Sequence, residues 1–221
     1  MTKKQLVIYG AGGFAREVAW LVEQINGTVS YEAYDLVAFI DDNPAAHGKY
    51  VNGIPVVGLQ EARGSWSEAR LVGGIGNPKT RQCLLEKASA IGFSFETLIH
   101  PRVEMSNRVE ISDGTVICAG NILTTNIKLG ENVQINLDCT IGHDVIMGKY
   151  TTLAPGVHVS GRVHFGERVY VGTGAVIING LDDRPIVVDD DAIVGAAACV
   201  TKSVPKGQTV VGVPAKSIVR K

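Results

Sequence analysis

The stretch Ile135-Asn-Leu-Asp-Cys-Thr-Ile141-Gly-His-Asp-Val-Ile-Met147-Gly-Lys-Tyr-Thr-Thr-Leu153 places an apolar residue at every sixth position. The same phase runs outward both ways, through Ile111, Ile117, Leu123 and Leu129 before it and Val159, Phe165, Val171 and Ile177 after it. Chance supplies twelve such matches in roughly one of a few thousand sequences of this composition. The next residue is usually small, as at Ser112, Gly130, Gly142, Gly148, Ala154, Ser160, Gly166 and Gly172. A period of six suits neither a helix nor a plain strand. It suits a short strand and a tight corner, repeated, with one apolar residue per side pointing inward. Three sides close a coil, so residues three hexads apart stack about 4.8 Å apart. The repeats make about four coils of a parallel β-helix, each touching only its neighbours.

The phase breaks at Asn179-Gly-Leu-Asp-Asp-Arg-Pro185 and resumes, shifted, at Val188, Val194 and Val200. Residues 179–186 are expected to form a loop inserted at one corner, followed by a last coil. Val210-Val-Gly-Val-Pro-Ala-Lys216 caps the stack.

Residues 1–100 carry a different pattern, a small Rossmann-like α/β domain. The apolar run Gln5–Tyr9 leads through Gly10-Ala-Gly12-Gly13 into a helical stretch from Phe14 to about Ile25. A second run, Leu36–Ile40, ends in Asp41-Asp42-Asn43-Pro44; a third, Leu71–Ile75, ends in Gly76-Asn77-Pro78 before a helix near Lys79–Ile91. This is a β–α–β pattern with a parallel sheet. Asn43-Pro44 and Asn77-Pro78 read as helix starts, N-cap followed by N1. The boundary falls near His100-Pro101, so the domains are 1–100 and 101–221.

The formal net charge of -1, with 45% apolar and 19% charged residues, describes an ordinary globular chain. No basic stripe suggests nucleic acid. No segment is long enough to span a membrane, and the apolar start reads as a buried strand rather than a signal peptide. Cys83, Cys118, Cys139 and Cys199 have neither zinc-knuckle nor CxxC spacing and read as buried thiols in a reducing compartment.

Two places can carry chemistry. Gly10-Ala-Gly-Gly-Phe14-Ala15 satisfies the dinucleotide fingerprint between a strand and a helix, where bare backbone and a helix N-terminus favour a phosphate. The bland alternative is a tight turn and nothing more. The acidic partner expected at the end of the second strand would be Asp41 or Asp42. Further on, His143 keeps the apolar hexad positions around it intact, so its side chain points outward near a corner. Asp144 beside it can hold one ring nitrogen and fix the tautomer. Stacking places Gly161 one coil above His143, with a bare N–H and open space beside the imidazole. That suits a carbonyl oxygen in need of a donor. A solvated surface histidine is the bland alternative here. His158 and His164 lie on different faces and read as structural rather than as metal ligands.

The whole chain resembles the left-handed β-helix acetyltransferases that modify nucleotide-linked amino sugars. These include the UDP-N-acetylbacillosamine and GDP-perosamine N-acetyltransferases, with the sialic acid O-acetyltransferases as close relatives. The resemblance is carried by Val7-Ile-Tyr-Gly-Ala-Gly-Gly13, Phe39-Ile-Asp-Asp-Asn-Pro44, Gly74-Ile-Gly-Asn77, His100-Pro101, Ile135-Asn136, Ile141-Gly-His-Asp144 and Val211-Gly-Val-Pro-Ala-Lys216. It implies a homotrimer with active sites between adjacent β-helices, and it implies the left hand of the coil. Ordinary crossover rules favour the right hand, and periodicity alone does not overrule them.

The resemblance also implies roles. His143 would be the base and Asp144 its orienting neighbour. Asn136 would lie near the reacting amine, and Gly161 would donate to the acetyl carbonyl. Gly12, Gly13, Phe14, Asp41, Asp42, Gly76 and Asn77 would contact a nucleotide-sugar rather than NAD. Acetyl-CoA would run past Gly161, Thr173 and Ala196 to Lys216, with no metal required. Thr152 stands where some members carry a second histidine. The expected function is acetyl-CoA-dependent N-acetylation of a nucleotide-linked 4-amino-4,6-dideoxy sugar in the cytoplasm. O-acetylation of a sialic-acid-type sugar, a NAD-binding module and a non-catalytic scaffold trimer are the alternatives.

Overall fold

A computed structural model describes residues 3–28 and 33–218 of the chain. The chain divides into two compact units, 1–101 and 102–221.

The first unit is built on a five-stranded sheet. Its elements in chain order are β1 (Lys4–Tyr9), α1 (Gly13–Asn26), β2 (Tyr34–Ile40), a 3-10 turn (Pro44–Ala46), β3 (Tyr50–Val51), β4 (Ile54–Val57), α2 (Leu59–Ser65), β5 (Arg70–Gly73) and α3 (Pro78–Ala90). The strand order is β3-β4-β2-β1-β5, parallel except for β3 against β4. Leu6, Val7, Ile8 and Tyr9 of the central strand are fully buried, as a parallel strand covered on both faces requires. Asn77 caps α3 by accepting from the Thr80 N–H at 3.0 Å, with Pro78 at the first helical position. Asn43 does the same for the short turn, accepting from the Ala45 N–H at 3.1 Å.

The β3–β4 hairpin and α2 are not apparent from the sequence pattern. The hairpin's signal is there, since Asn52-Gly53 adopts positive φ at both positions (49° and 79°) as a two-residue hairpin turn demands. The flanking strands have only two and four residues, too short for an alternation to register. The third strand stops at Gly73, two residues earlier than its apolar run. Gly74 is needed where β1 and α1 meet it, because a Cβ there would lie 2.6 Å from the Ile8 side chain and 2.7 Å from the Ala15 Cβ.

The second unit is a left-handed parallel β-helix. Its strands stack in three ladders, and partners are 18 residues apart: Ile135 on Leu153, Ile141 on Val159, Met147 on Phe165. Beyond the phase break Ile177 pairs with Val200, a separation of 23 (200 − 177), so five residues are inserted. Strand structure already resumes at Ile186. The periodic residues from Ile117 to Ile177 are all buried, while Ile111 at the open first coil is not. A second inward position lies two residues earlier, outside the six-residue apolar phase. Val133, Cys139, Val145, Val157, Val163, Val169 and Ala175 fill it. Where that position is polar, the side chain bonds to backbone. Asn121 donates to the carbonyls of Cys118 and Asn136 and accepts from the Cys139 N–H.

Most corners turn through one left-handed residue, among them Asn126, Asp144 and Arg162 at successive coils of one corner. Asn and Asp tolerate that region better than other side chains. At the far end Thr209–Val211 adds to the last coil, and Lys216–Ile218 folds back antiparallel on it. The final ladder bonds are thereby covered. The cysteines differ from expectation in part. Cys118 and Cys139 are buried, and burial pushes the Cys139 thiol up to about 11, but Cys83 on α3 is exposed and Cys199 is half-buried. No helix among the described residues is long and apolar enough to cross a membrane.

Coil stacking leaves no room for side chains at certain corners. A Cβ on Gly148 would lie 2.5 Å from the Gly166 carbonyl carbon and 2.7 Å from the Glu167 nitrogen, both backbone atoms of the next coil. Gly148→Ala is therefore expected to destabilise the protein by about 1–3 kcal/mol, the usual cost of overpacking. Gly64→Ala in α2, where nothing lies within 4 Å, is the control and should melt no lower than the wild type. Equal melting temperatures for Gly148→Ala and wild type would refute the constraint.

Candidate active site

One corner of the β-helix carries Thr124–Asn126, Gly142–Asp144, Ser160–Arg162, the inserted loop, and Thr201–Ser203 in successive coils. Gly142 allows the close stacking, since a Cβ there would lie 2.7 Å from the Gly161 nitrogen. His143 follows, outward and half-exposed. Its backbone carbonyl accepts from the Arg162 N–H at 2.9 Å, which ties it to the coil above. Asp144, at φ 59°, turns the chain and brings its carboxylate back to the imidazole. His143 Nδ1 and Asp144 Oδ2 are 2.8 Å apart. With the carboxylate ionised the shared proton belongs to Nδ1, and Nε2 is left as the acceptor. The other carboxylate oxygen accepts from Asn126 Nδ2 one coil below, at 3.2 Å. The bonds from His143 and then Asn126 hold the Asp144 carboxyl below the usual carboxylate range.

Gly161 lies against the imidazole. A Cβ on it would be 2.5 Å from both Cε1 and Nε2 of His143 and 2.9 Å from Oδ1 of Asn179. Its carbonyl accepts from the Gly180 N–H at 3.0 Å, while its own N–H has no acceptor among the described residues. This corner thus combines a ring nitrogen able to take a proton, a carboxylate that fixes the ring, and a bare N–H next to it. Asn179 is an addition to the expected set. The same 18-residue stacking that pairs His143 with Gly161 reaches it.

The remaining expected residues of the β-helix sit elsewhere. Asn136, Thr173 and Ala196 share the corner that precedes the His143 strand in each coil. Asn136 is buried, with Nδ2 donating to the Leu153 carbonyl at 2.7 Å. Lys216 is exposed on the last antiparallel strand. A single chain therefore splits the expected set into two columns, His143–Asp144–Gly161 and Asn136–Thr173–Ala196. Thr152 is buried in a face rather than at a corner. His158 and His164 stand on different faces, and His158 Nδ1 is 2.8 Å from the Thr140 hydroxyl. No group of three or more His, Cys, Asp or Glu that could hold a metal ion occurs among the described residues.

The N-terminal unit has its own concave site. Tyr9 of β1 pairs with Ile40 of β2 and Gly73 of β5, so the carboxyl ends of three parallel strands lie side by side. Their loops enclose a cavity of about 350 Å³. Of the residues expected to contact a nucleotide-sugar, Gly12, Gly13, Phe14, Asp41, Asp42 and Gly76 line it; Asn77 does not, being occupied as the cap of α3. Gly10 holds φ 114°, with Gly74 O 3.0 Å from where a Cβ would be, so it is required by the turn. Gly12 has nothing within 4 Å and leaves the start of α1 open, with no side-chain cap on its first turn. Such a helix start favours an anion.

Tyr9 was not expected here. Its hydroxyl donates to Asp42 Oδ1 at 2.6 Å, and Lys87 Nζ approaches Oδ2 at 2.9 Å. Burial disfavours the Asp42 charge, yet those two donors together hold its carboxyl below the usual range. Burial and the bond to Asp42 drive the Tyr9 hydroxyl well above its ordinary value.

The Asp144 network gives a direct test. A carboxyl depressed in the folded state adds stability above its unfolded pKa, about 3.9, and loses it as pH falls through the folded value. Asn126→Ala removes one of the donors. Its Asp144 carboxyl is expected to titrate at higher pH than in the wild type, read from the carboxyl carbon by NMR. An unchanged midpoint would contradict the role given to Asn126.

Residues 5–88 match the family model described as the PglD N-terminal domain. No curated protein sequence matches the chain. Among solved structures it is 36% identical to WeeI from Acinetobacter baumannii AYE, covering 98% of this chain and 100% of that one, with a TM-score of 0.87. PerB from Caulobacter crescentus, solved with CoA and GDP-perosamine, is 32% identical over 97% of each chain, with a TM-score of 0.84. The acetyltransferase domain of PglB from Neisseria gonorrhoeae FA1090, solved with acetyl coenzyme A, is 30% identical over 98% of this chain and 100% of that one, with a TM-score of 0.85. At this identity and coverage, the chain belongs to the left-handed β-helix family of nucleotide-sugar N-acetyltransferases.

Proposed function

We propose that the protein transfers the acetyl group of acetyl-CoA to the amine of a nucleotide-linked 4-amino-4,6-dideoxy sugar, with His143 as general base. The observation that carries this reading is the imidazole lying against Gly161 with Nδ1 held by Asp144. The neutral amine attacks the thioester carbonyl, forming the new N–C bond as the carbonyl electron pair moves to oxygen. His143 Nε2 takes the amine proton, and Asp144 steadies the imidazolium. The Gly161 N–H donates to the oxyanion. Collapse of the tetrahedral adduct expels the CoA sulfur, which leaves with a proton returned through the imidazolium. Direct transfer needs no covalent enzyme intermediate.

The N-terminal cavity suits the nucleotide end of the substrate. Its open helix start and bare Gly12 backbone would meet phosphate, and Asp41 and Asp42 would meet sugar hydroxyls. The two columns of the β-helix support a homotrimer. A neighbouring copy would bring Asn136, Thr173 and Ala196 against His143 and Gly161, with acetyl-CoA running between them towards Lys216. PerB, solved with CoA and GDP-perosamine, supports the substrate class. A cytoplasmic location follows from the supply of acetyl-CoA and nucleotide-sugars, and the four free thiols suit it.

Thiol release from acetyl-CoA, measured against UDP-, dTDP- and GDP-linked 4-amino-4,6-dideoxy sugars, tests the reading. One of these should give rapid release; release only with a free or CMP-linked sialic acid would reassign the protein to O-acetylation. His143→Ala should lower kcat by roughly 10²–10⁴-fold, the usual weight of a general base. Near-normal turnover in that variant would remove His143 from the role. Gly161→Ala should keep the wild-type melting temperature, because its Cβ meets only movable side chains, yet lose at least about tenfold in kcat as the imidazole is displaced.

A further inference from the structure

The five inserted residues are not needed by the core. Phe165 pairs with Val188 and Ile177 with Val200, so the ladders close on both sides of the loop. The loop is nevertheless built rather than slack. Leu181 and Arg184 exchange backbone hydrogen bonds at 3.0 and 3.1 Å, Arg162 of the coil below is ion-paired with Asp182, and the Gly180 N–H rests on the Gly161 carbonyl. With the next corner, Thr201–Ser203, it encloses a cavity of about 380 Å³.

Arg184 and Lys202 line this cavity with Asn179, Thr201 and Ser203, and no carboxylate does. Neither cation has a side-chain ion pair or hydrogen bond among the described residues, although Arg162, Arg168, Lys149 and Lys206 of the same β-helix all do. Two unpaired cations and two hydroxyls facing one cavity select an anion, and a phosphate in particular.

The position says which phosphate. His143, Gly161, Asn179 and Lys202 occupy successive coils of the same corner, so Lys202 stands three coil steps from the base, roughly 14 Å at about 4.8 Å per step. The thread of CoA from its sulfur to its first phosphorus contains about fourteen bonds. It has the reach of between four and five extended residues, roughly 15–16 Å. We infer that the inserted loop is a phosphate clamp in which Arg184 and Lys202 hold the pyrophosphate of CoA while its thioester lies at His143 and Gly161. The inference rests on the acetyl-transfer reading above and places the pyrophosphate contacts at the loop rather than at Lys216.

The test compares two acyl donors on the intact protein. Acetyl-CoA carries the phosphates and S-acetylpantetheine lacks them. In the Arg184→Gln/Lys202→Gln double variant, KM for acetyl-CoA should rise about 10–100-fold with kcat within twofold, while kcat/KM for S-acetylpantetheine stays at the wild-type value. Arg184→Lys/Lys202→Arg, which keeps both charges, should retain most of the affinity for acetyl-CoA. An unchanged KM for acetyl-CoA in the double variant, or an equal loss with both donors, overturns the clamp. So does a larger rise in KM from Lys216→Gln than from the double variant. Titration calorimetry with CoA provides a check that needs no turnover, because the double variant must bind CoA more weakly than the wild type. Failure of the underlying reading looks different: the wild type itself then releases no thiol with any amino sugar.

Discussion

Everything in the second unit depends on parallel coils stacked at the spacing of a β-ladder, about 4.8 Å. At that distance neighbouring backbones touch, and the corners must be made of residues that allow it. Gly142, Gly148, Gly166 and Gly172 sit where a Cβ would run into backbone of the next coil. Most corners also use one left-handed residue, usually Asn, Asp or Gly. Arg162, Arg168, Tyr150 and Ala197 adopt it too, at the steric cost the left-handed region carries for ordinary side chains. Arg168 at least is anchored, by a two-pronged contact with Asp191 at 2.9 and 3.1 Å.

The same spacing underlies the proposed chemistry. An imidazole can lie against the backbone of the coil above only if that coil presents a glycine, and Gly161 does. The corner that forces Asp144 into the left-handed region also swings its carboxylate back to His143. The proposed catalytic arrangement is thus a consequence of the stacking rule rather than an addition to it. Its repetition explains the three-coil ruler from His143 to Lys202, because every further step along the corner is the same length.

The first unit follows a different rule. Its parallel strands end together, and each end opens into a loop of small or acidic residues. The cavity there is shaped by what glycine leaves out and by the Tyr9–Asp42–Lys87 network, which fixes one acidic side chain in its charged form. Asp41 is held locally instead, accepting from the Asn43 N–H at 2.9 Å.

Much of this is legible in the chain alone. The six-residue period determined the β-helix, the register of its ladders and the place of the insertion, because a local pattern repeated many times leaves one way to bury its apolar residues. The same stacking paired His143 with Gly161 in advance. The cap at Asn77 and the strand-to-helix turn at Gly10–Gly13 are also local, and single residues decide them. Short-range signals too brief to repeat were lost, as with the hairpin at Asn52-Gly53. Only the tertiary structure decided the rest. Tyr9 and Lys87 are distant from Asp42 in sequence, and nothing local joins them. Arg184 and Lys202 face one cavity because the insertion lies against the corner Thr201–Ser203 of the next coil, a contact that only the stacked coils create.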